Sequence, residues 1–83
     1  MKKNYDRLIT FDSTHQALQL EAVLDRIELD FDIRPIPPSL SAGCGLAIEF
    51  YSNDIDKVIE AIASHQIISN AMYQKKDKLY IGL

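Results

Sequence analysis

One residue of this chain combines nucleophile chemistry with a setting that would display it. Cys44 is the only cysteine. It stands in Ser41-Ala42-Gly43-Cys44-Gly45, at the end of a proline-bearing loop and directly before the apolar run Leu46 to Tyr51. A structural cysteine usually fills one apolar position among others in a helix or strand, as a small hydrophobe. Cys44 instead has glycine on each side and no side-chain bulk beside it. Backbone N–H groups around it can then converge on one point, a nest that favours an anion. The expectation is an accessible thiol held toward the thiolate, the form that attacks.

Other chemistries find little support. Without a second cysteine there is no internal disulfide and no resolving thiol, which argues against a dithiol oxidoreductase. No His/Cys spacing suggests a metal site, and no cofactor is indicated. No histidine is securely placed as a base and no acid is placed to orient one, so a hydrolase is not indicated. The net charge is −3, without the Lys/Arg stripe of a nucleic-acid binder. Lys2-Lys3 and Lys75-Lys76 with Lys78 read as solvated, solubilising groups near the ends. No apolar stretch approaches a membrane span, and no signal-like apolar run follows Lys3. A cytoplasmic protein with a reduced thiol is expected.

Eighty-three residues imply one domain with a core near the lower limit of self-sufficiency. Such a core leaves no room for a deep pocket, so chemistry belongs at the surface. The expected domain spans 1–83, with a core of about 5–73. Residues 74–83 are expected to be an extra strand or a tail that pairs with another subunit.

The elements that must position Cys44 follow from periodicity. Leu8 to Phe11 reads as a strand. Ser13 can cap a helix and Gln16 can reach back to it, as in a capping box. Ala17, Leu20, Val23, Leu24 and Ile27 then follow helical spacing. Phe31 and Ile33 alternate with Asp30, Asp32 and Arg34, a strand with one solvated side; Pro35, Pro37 and Pro38 end it. Leu46, Ile48 and Phe50 mark a third strand. Asn53 or Asp54 can cap a second helix with the stripe Ile55, Val58, Ile59 and Ile62. Ala71 to Tyr73 is expected as a fourth strand.

Strand, helix, strand, strand, helix, strand is the split βαβ, ferredoxin-like arrangement (βαββαβ). It is an α+β two-layer sandwich, an antiparallel sheet with two helices on one face. In it the third strand lies between the first two, so the long loop from Pro37 to Gly45 emerges near Asp12-Ser13-Thr14-His15. The positive end of the first helix can add to the field on Cys44, Asp12 would oppose it, and His15 can exchange a proton with the thiol. Each residue also has a plain role. Gly43 and Gly45 can serve a turn, and Ser39 and Ser41 are turn formers. His15 can be a first-turn surface residue, and His65 a favourable helix end. Tyr51, Tyr73 and Tyr80 can simply cover the sheet.

Leu8-Ile9-Thr10-Phe11-Asp12-Ser13-Thr14-His15-Gln16-Ala17, Ile36-Pro37 and Ser41-Ala42-Gly43-Cys44-Gly45-Leu46-Ala47 resemble the small bacterial proteins described as selenium/sulfur carrier-like, over about Tyr5 to Tyr73. The resemblance implies that Cys44 carries the chalcogen atom; the loop reading makes Ser41, Ala42, Gly43 and Gly45 its expected support, and the topology makes Ser13, Thr14 and His15 its expected neighbours. Pro38 departs from the polar or basic residue expected in relatives, and the segment after Tyr73 is longer than the family requires.

Three functions follow. The first is a sulfur or selenium carrier, loaded as a persulfide or selenopersulfide by a donor enzyme such as a cysteine desulfurase and unloaded to an acceptor protein. The second is a non-catalytic regulatory or assembly module, for which the Leu79 to Leu83 tail would suit pairing into a homodimer, since ferredoxin-like domains often pair sheets or edges. The third is a redox sensor whose oxidation at Cys44 changes oligomeric state.

Overall fold

The computed structural model describes residues 3–40 and 43–83. Lys2 of the amino-terminal basic pair, and Ser41 and Ala42 of the candidate loop, lie outside the described residues. The elements are β1 (Arg7–Thr10), α1 (Thr14–Arg26), β2 (Phe31–Pro35), β3 (Leu46–Phe50), α2 (Ile55–Ser64), β4 (Ala71–Lys76) and β5 (Leu79–Gly82). A 3-10 turn, Ser52–Asp54, leads into α2.

All strand pairs are antiparallel, in the order β2-β3-β1-β4-β5. The fold is thus α+β, a five-stranded antiparallel sheet with two helices. β3 lies between β1 and β2, as expected, with Ile9 opposite Ile48 and Ile33 opposite the same residue from the other side. The strand order departs from the four-stranded arrangement by β5, which pairs with β4 as a hairpin. Its two-residue turn is Asp77 and Lys78, both with positive φ (51° and 69°). That is the mirror-image turn that matches strand twist. No glycine marks it, so the charged run reads from sequence as a linker.

Alternation along the strands sends Ile9, Ile48 and Phe50 to the helix side. There they meet Leu20 and Leu24 of α1 and Val58 of α2, all fully buried. Two expected stripe residues are corrected. Ile27, just beyond α1, is 50% exposed, and Ile59 is 49% exposed. On α2 the small Ala61 is buried instead, at the side where the helix packs against α1 and α2 contributes to the shared core.

The helix ends also differ from expectation. Ser13 is the N-cap of α1, but its side chain makes no capping bond. The Gln16 side chain does not reach back; its Oε1 accepts the Ile68 N–H at 3.0 Å. This non-local bond fixes the segment entering β4 against the start of α1. Asp54 caps α2 by position, again without a side-chain bond. At the other end His65 is the C-cap, and its Nδ1 lies 3.2 Å from the Ala61 carbonyl. Both helices finish in paired reverse bonds, Leu29 N–H to Leu24 O with Glu28 N–H to Asp25 O, and Ile67 N–H to Ile62 O with Gln66 N–H to Ala63 O. This is the Schellman pattern.

Candidate functional site

Cys44 sits where the long loop joins β3, and the loop is tied to the end of β1 by backbone contacts. The Cys44 N–H donates to the Phe11 carbonyl at 3.4 Å, and the Ile36 N–H donates to the Gly45 carbonyl at 2.9 Å. Within the loop Pro37 is buried, while Pro38 and Ser39 are exposed. At Gly43 an added Cβ would lie 2.7 Å from the Asp12 carbonyl oxygen, closer than real Cβ contacts allow. Only glycine lets the loop lie this near the β1–α1 junction. Gly45 takes φ of 73° with open space where a Cβ would be. The loop therefore does approach Asp12, and the connection is backbone against backbone.

The thiol is half-buried and packs against the edge of the core. Among the described residues, both hydrogen bonds of its sulfur are with Leu46. The Leu46 N–H donates to Sγ at 3.3 Å, and the thiol donates to the Leu46 carbonyl at 3.5 Å. The expected nest is corrected in its membership. The Cys44 N–H is engaged by Phe11 and does not turn toward the sulfur; the N–H that reaches it belongs to the first residue of β3. A backbone donor aimed at sulfur strengthens when the sulfur is anionic, since charge-assisted bonds exceed neutral ones. Ser13, Thr14 and His15 are exposed around the start of α1 and form no hydrogen bond with the thiol.

A second polar cluster escaped sequence reasoning, because its members lie far apart along the chain. The Lys3 ammonium and the Tyr5 hydroxyl both donate to Asp30 Oδ1, at 2.8 and 2.7 Å. Arg34 Nη1 donates to Glu49 Oε1 at 3.1 Å. The Glu49 side chain is 7% exposed and that of Arg34 is 48% exposed. With Phe31 and Asp32 these residues border an open depression of about 470 Å³. Tyr5 also packs on Tyr51, with ring centroids 4.7 Å apart, within the range of favourable aromatic pairs.

The electrostatics of this cluster are directional. Burial first, and then the bond to Asp30, push the Tyr5 phenol above its usual value. The bonds from Lys3 and Tyr5 hold Asp30 below the carboxylate range, and the bond to Asp30 raises Lys3. Glu49 raises Arg34 through the hydrogen bond. Nearby, Asp6 Oδ1 accepts the Ser52 N–H at 2.7 Å. Burial pushes the Asp6 carboxyl up, but the bonds from Ser52 outweigh it and the net shift is downward.

Among the described residues no group of three or more His, Cys, Asp or Glu side chains is placed to hold a metal ion. None of their helices is long and apolar enough to cross a membrane. No curated protein and no solved structure gave a match to the chain. Residues 6–74 match the family described as "Putative Se/S carrier protein-like". That stretch runs from the start of β1 into β4 and contains Cys44 and the whole loop that holds it. The chain belongs to this Se/S carrier protein-like family.

Proposed function

We propose that the chain is a single-domain sulfur or selenium carrier on a ferredoxin-like βαββαβ frame extended by β5, with Cys44 as the loaded residue. The observation that carries the reading is the seat of the only cysteine. It is half-exposed at a loop–strand junction fixed by backbone, with the Leu46 N–H 3.3 Å from its sulfur. Membership of the carrier-like family supports it.

In loading, the Cys44 thiolate attacks the terminal sulfur of a donor enzyme's persulfide. A new S–S bond forms to Cys44, the donor's own S–S bond breaks, and the donor leaves as a thiolate that takes up a proton. Oxidation level is conserved, because the sulfane atom moves with its bond. Unloading repeats the exchange with an acceptor nucleophile. Such exchange needs an accessible thiolate and no resolving cysteine. The Gly43-Cys44-Gly45 backbone, free of bulk, suits insertion into a partner's site, with Ser41 and Ala42 completing the loop and Ser13, Thr14 and His15 as its neighbours across the junction. Selenium would follow the same path. A carrier with a free thiol works where thiols stay reduced, which is the cytoplasm.

The test is intact-protein mass spectrometry after incubation with a cysteine desulfurase and cysteine. The native chain should gain one sulfur atom, removed by a reductant, and Cys44→Ser should gain none while keeping its thermal midpoint. No gain on the native chain, or an equal gain on Cys44→Ser, overturns the carrier reading. The packing of Cys44 against the core favours a second reading if loading fails, that of a non-catalytic assembly module in which the thiol is structural.

A further inference from the structure

The two edges of the sheet are built differently. β2, at one edge, alternates apolar residues with Asp32 and Arg34 and ends at Pro35. Charges and proline are what proteins use to stop an edge from pairing with another strand. β5, at the other edge, carries no charge and no proline in Leu79–Gly82. Leu79 and Leu83 are each 67% exposed and Ile81 is 48% exposed. The sheet register, Gln74 opposite Ile81 and Lys76 opposite Leu79, places all three on the helix side of the sheet, next to Met72. This is an apolar row on an open edge.

The backbone of β5 fixes how that edge can be used. The Leu83 N–H donates to the Met72 carbonyl at 3.0 Å, so residues 79, 81 and 83 point their polar groups inward to β4. Antiparallel pairing alternates, which leaves the N–H and C=O of Tyr80 and Gly82 pointing out. We propose that β5 pairs with β5 of a second copy across a two-fold axis at Ile81, giving a closed dimer with one continuous sheet.

In this register Tyr80 lies opposite the partner's Gly82 and exchanges both backbone bonds with it, and the symmetric pair does the same. Every outward polar group of β5 is thereby used. Ile81 faces its own copy and Leu79 faces the partner's Leu83, all at the closer, non-hydrogen-bonded positions. The apolar row is thus complementary to itself under an isologous two-fold operation. Charge agrees with this register. Lys78 of each copy falls just beyond the partner's Leu83, at opposite ends of the seam, so the basic turns stay apart. A shift by two residues toward the turn would set Lys78 against Gly82 and leave Leu83 opposite Asp77. Pairing of β5 with the charged β2 edge would instead build an open filament, and Pro35 lacks the donor for it.

The strands of the pair run oppositely, so the two Cys44 loops end up at opposite ends of the joined sheet. Each lies three strands in from the seam, roughly 14 Å at about 4.8 Å per strand. The dimer thus leaves both thiols open, and it stands whether or not Cys44 carries sulfur. A seam of this length suits reversible association rather than an obligate dimer, whose interfaces are larger.

The test uses the full chain in a Cys44→Ser background. Light scattering across a concentration series should show a monomer–dimer equilibrium, and Ile81→Lys should weaken it by at least about tenfold while leaving the circular dichroism spectrum unchanged. Under mild oxidation Ile81→Cys should form a covalent dimer, because residue 81 faces its own copy at a spacing a disulfide can bridge. Tyr80→Cys, and Leu18→Cys on the exposed side of α1, should cross-link far more slowly. A native chain that stays monomeric at every concentration, with Ile81→Cys no faster than Leu18→Cys, overturns the proposal. So does a dimer that survives Ile81→Lys, faster cross-linking of Tyr80→Cys than of Ile81→Cys, or growth beyond the dimer.

Discussion

The loop before β3 and the turns elsewhere in the chain treat glycine in opposite ways. Among the described residues Glu28, Gln66, Asp77 and Lys78 all hold positive φ without being glycine. They close both helices and the β4–β5 hairpin, where glycine is the usual choice. Yet two of the chain's three glycines flank Cys44. One of these, Gly43, is needed because its backbone lies against the Asp12 carbonyl. A helix end or a hairpin asks only for an unusual φ, which a side chain tolerates at modest cost. The thiol loop asks for close approach of two backbones, which no side chain permits. Strict glycine therefore marks the corner where Cys44 is held.

The strongest break of this contrast is Gly43→Ala. Its Cβ meets backbone rather than a movable side chain, so the loop must lift. Overpacking of this kind costs about 1–3 kcal/mol. A lower thermal midpoint, together with altered alkylation kinetics at Cys44, would confirm it; an unchanged midpoint and thiol reactivity would sink the close-approach argument. Gly45→Ala should be milder, since only the positive φ is strained and nothing blocks the methyl. The expected loss is about 1 kcal/mol, read from urea unfolding. A larger effect from Gly45→Ala than from Gly43→Ala would reverse the ranking of the two positions.

A pH series separates corners held by backbone from those held by charge. Asp6 and Asp30 are held below their usual values, so their contribution is present above the ordinary carboxylate pKa and fades as pH falls through the lowered one. Tyr5 and Lys3 are raised, so theirs is present below the ordinary phenol and ammonium values and is lost as pH rises through the raised ones. The thermal midpoint should stay level around neutrality, drop below about pH 4 and drop again above about pH 10. Tyr5→Phe should soften the alkaline drop, and an identical profile in that variant would rule out Tyr5 as its source. The smallest effect is a gain. Lys78→Gly relieves φ of 69° in the hairpin and should stabilise by about 0.5–1 kcal/mol, seen as a raised midpoint. A fall would mean that the Lys78 side chain contributes more than its strain costs.

Much of the frame was legible because it depends on local periodicity. The stripe Ala17, Leu20, Val23 and Leu24 is the buried face of α1, and the alternation of Ile48 and Phe50 is the core face of β3. What could not be read involved partners distant in the chain. Gln16 looked like half of a capping box, but Ile68 claims its side chain. The buried Glu49 gave no sign of Arg34 across the strand pair. Ile59 leaves the expected stripe, and Ala61, which the stripe did not include, is buried where α2 packs against α1.

By itself the sequence determined the types of the elements from β1 to β4, the single cysteine and the glycines beside it, since these rest on residue identity and on repeats of two or 3.6 residues. Only the tertiary structure decided which N–H faces the Cys44 sulfur, which backbone Gly43 must accommodate, and that Leu79–Gly82 closes the sheet as an open apolar edge. Those outcomes depend on contacts between segments far apart along the chain, whose distances spacing alone does not encode.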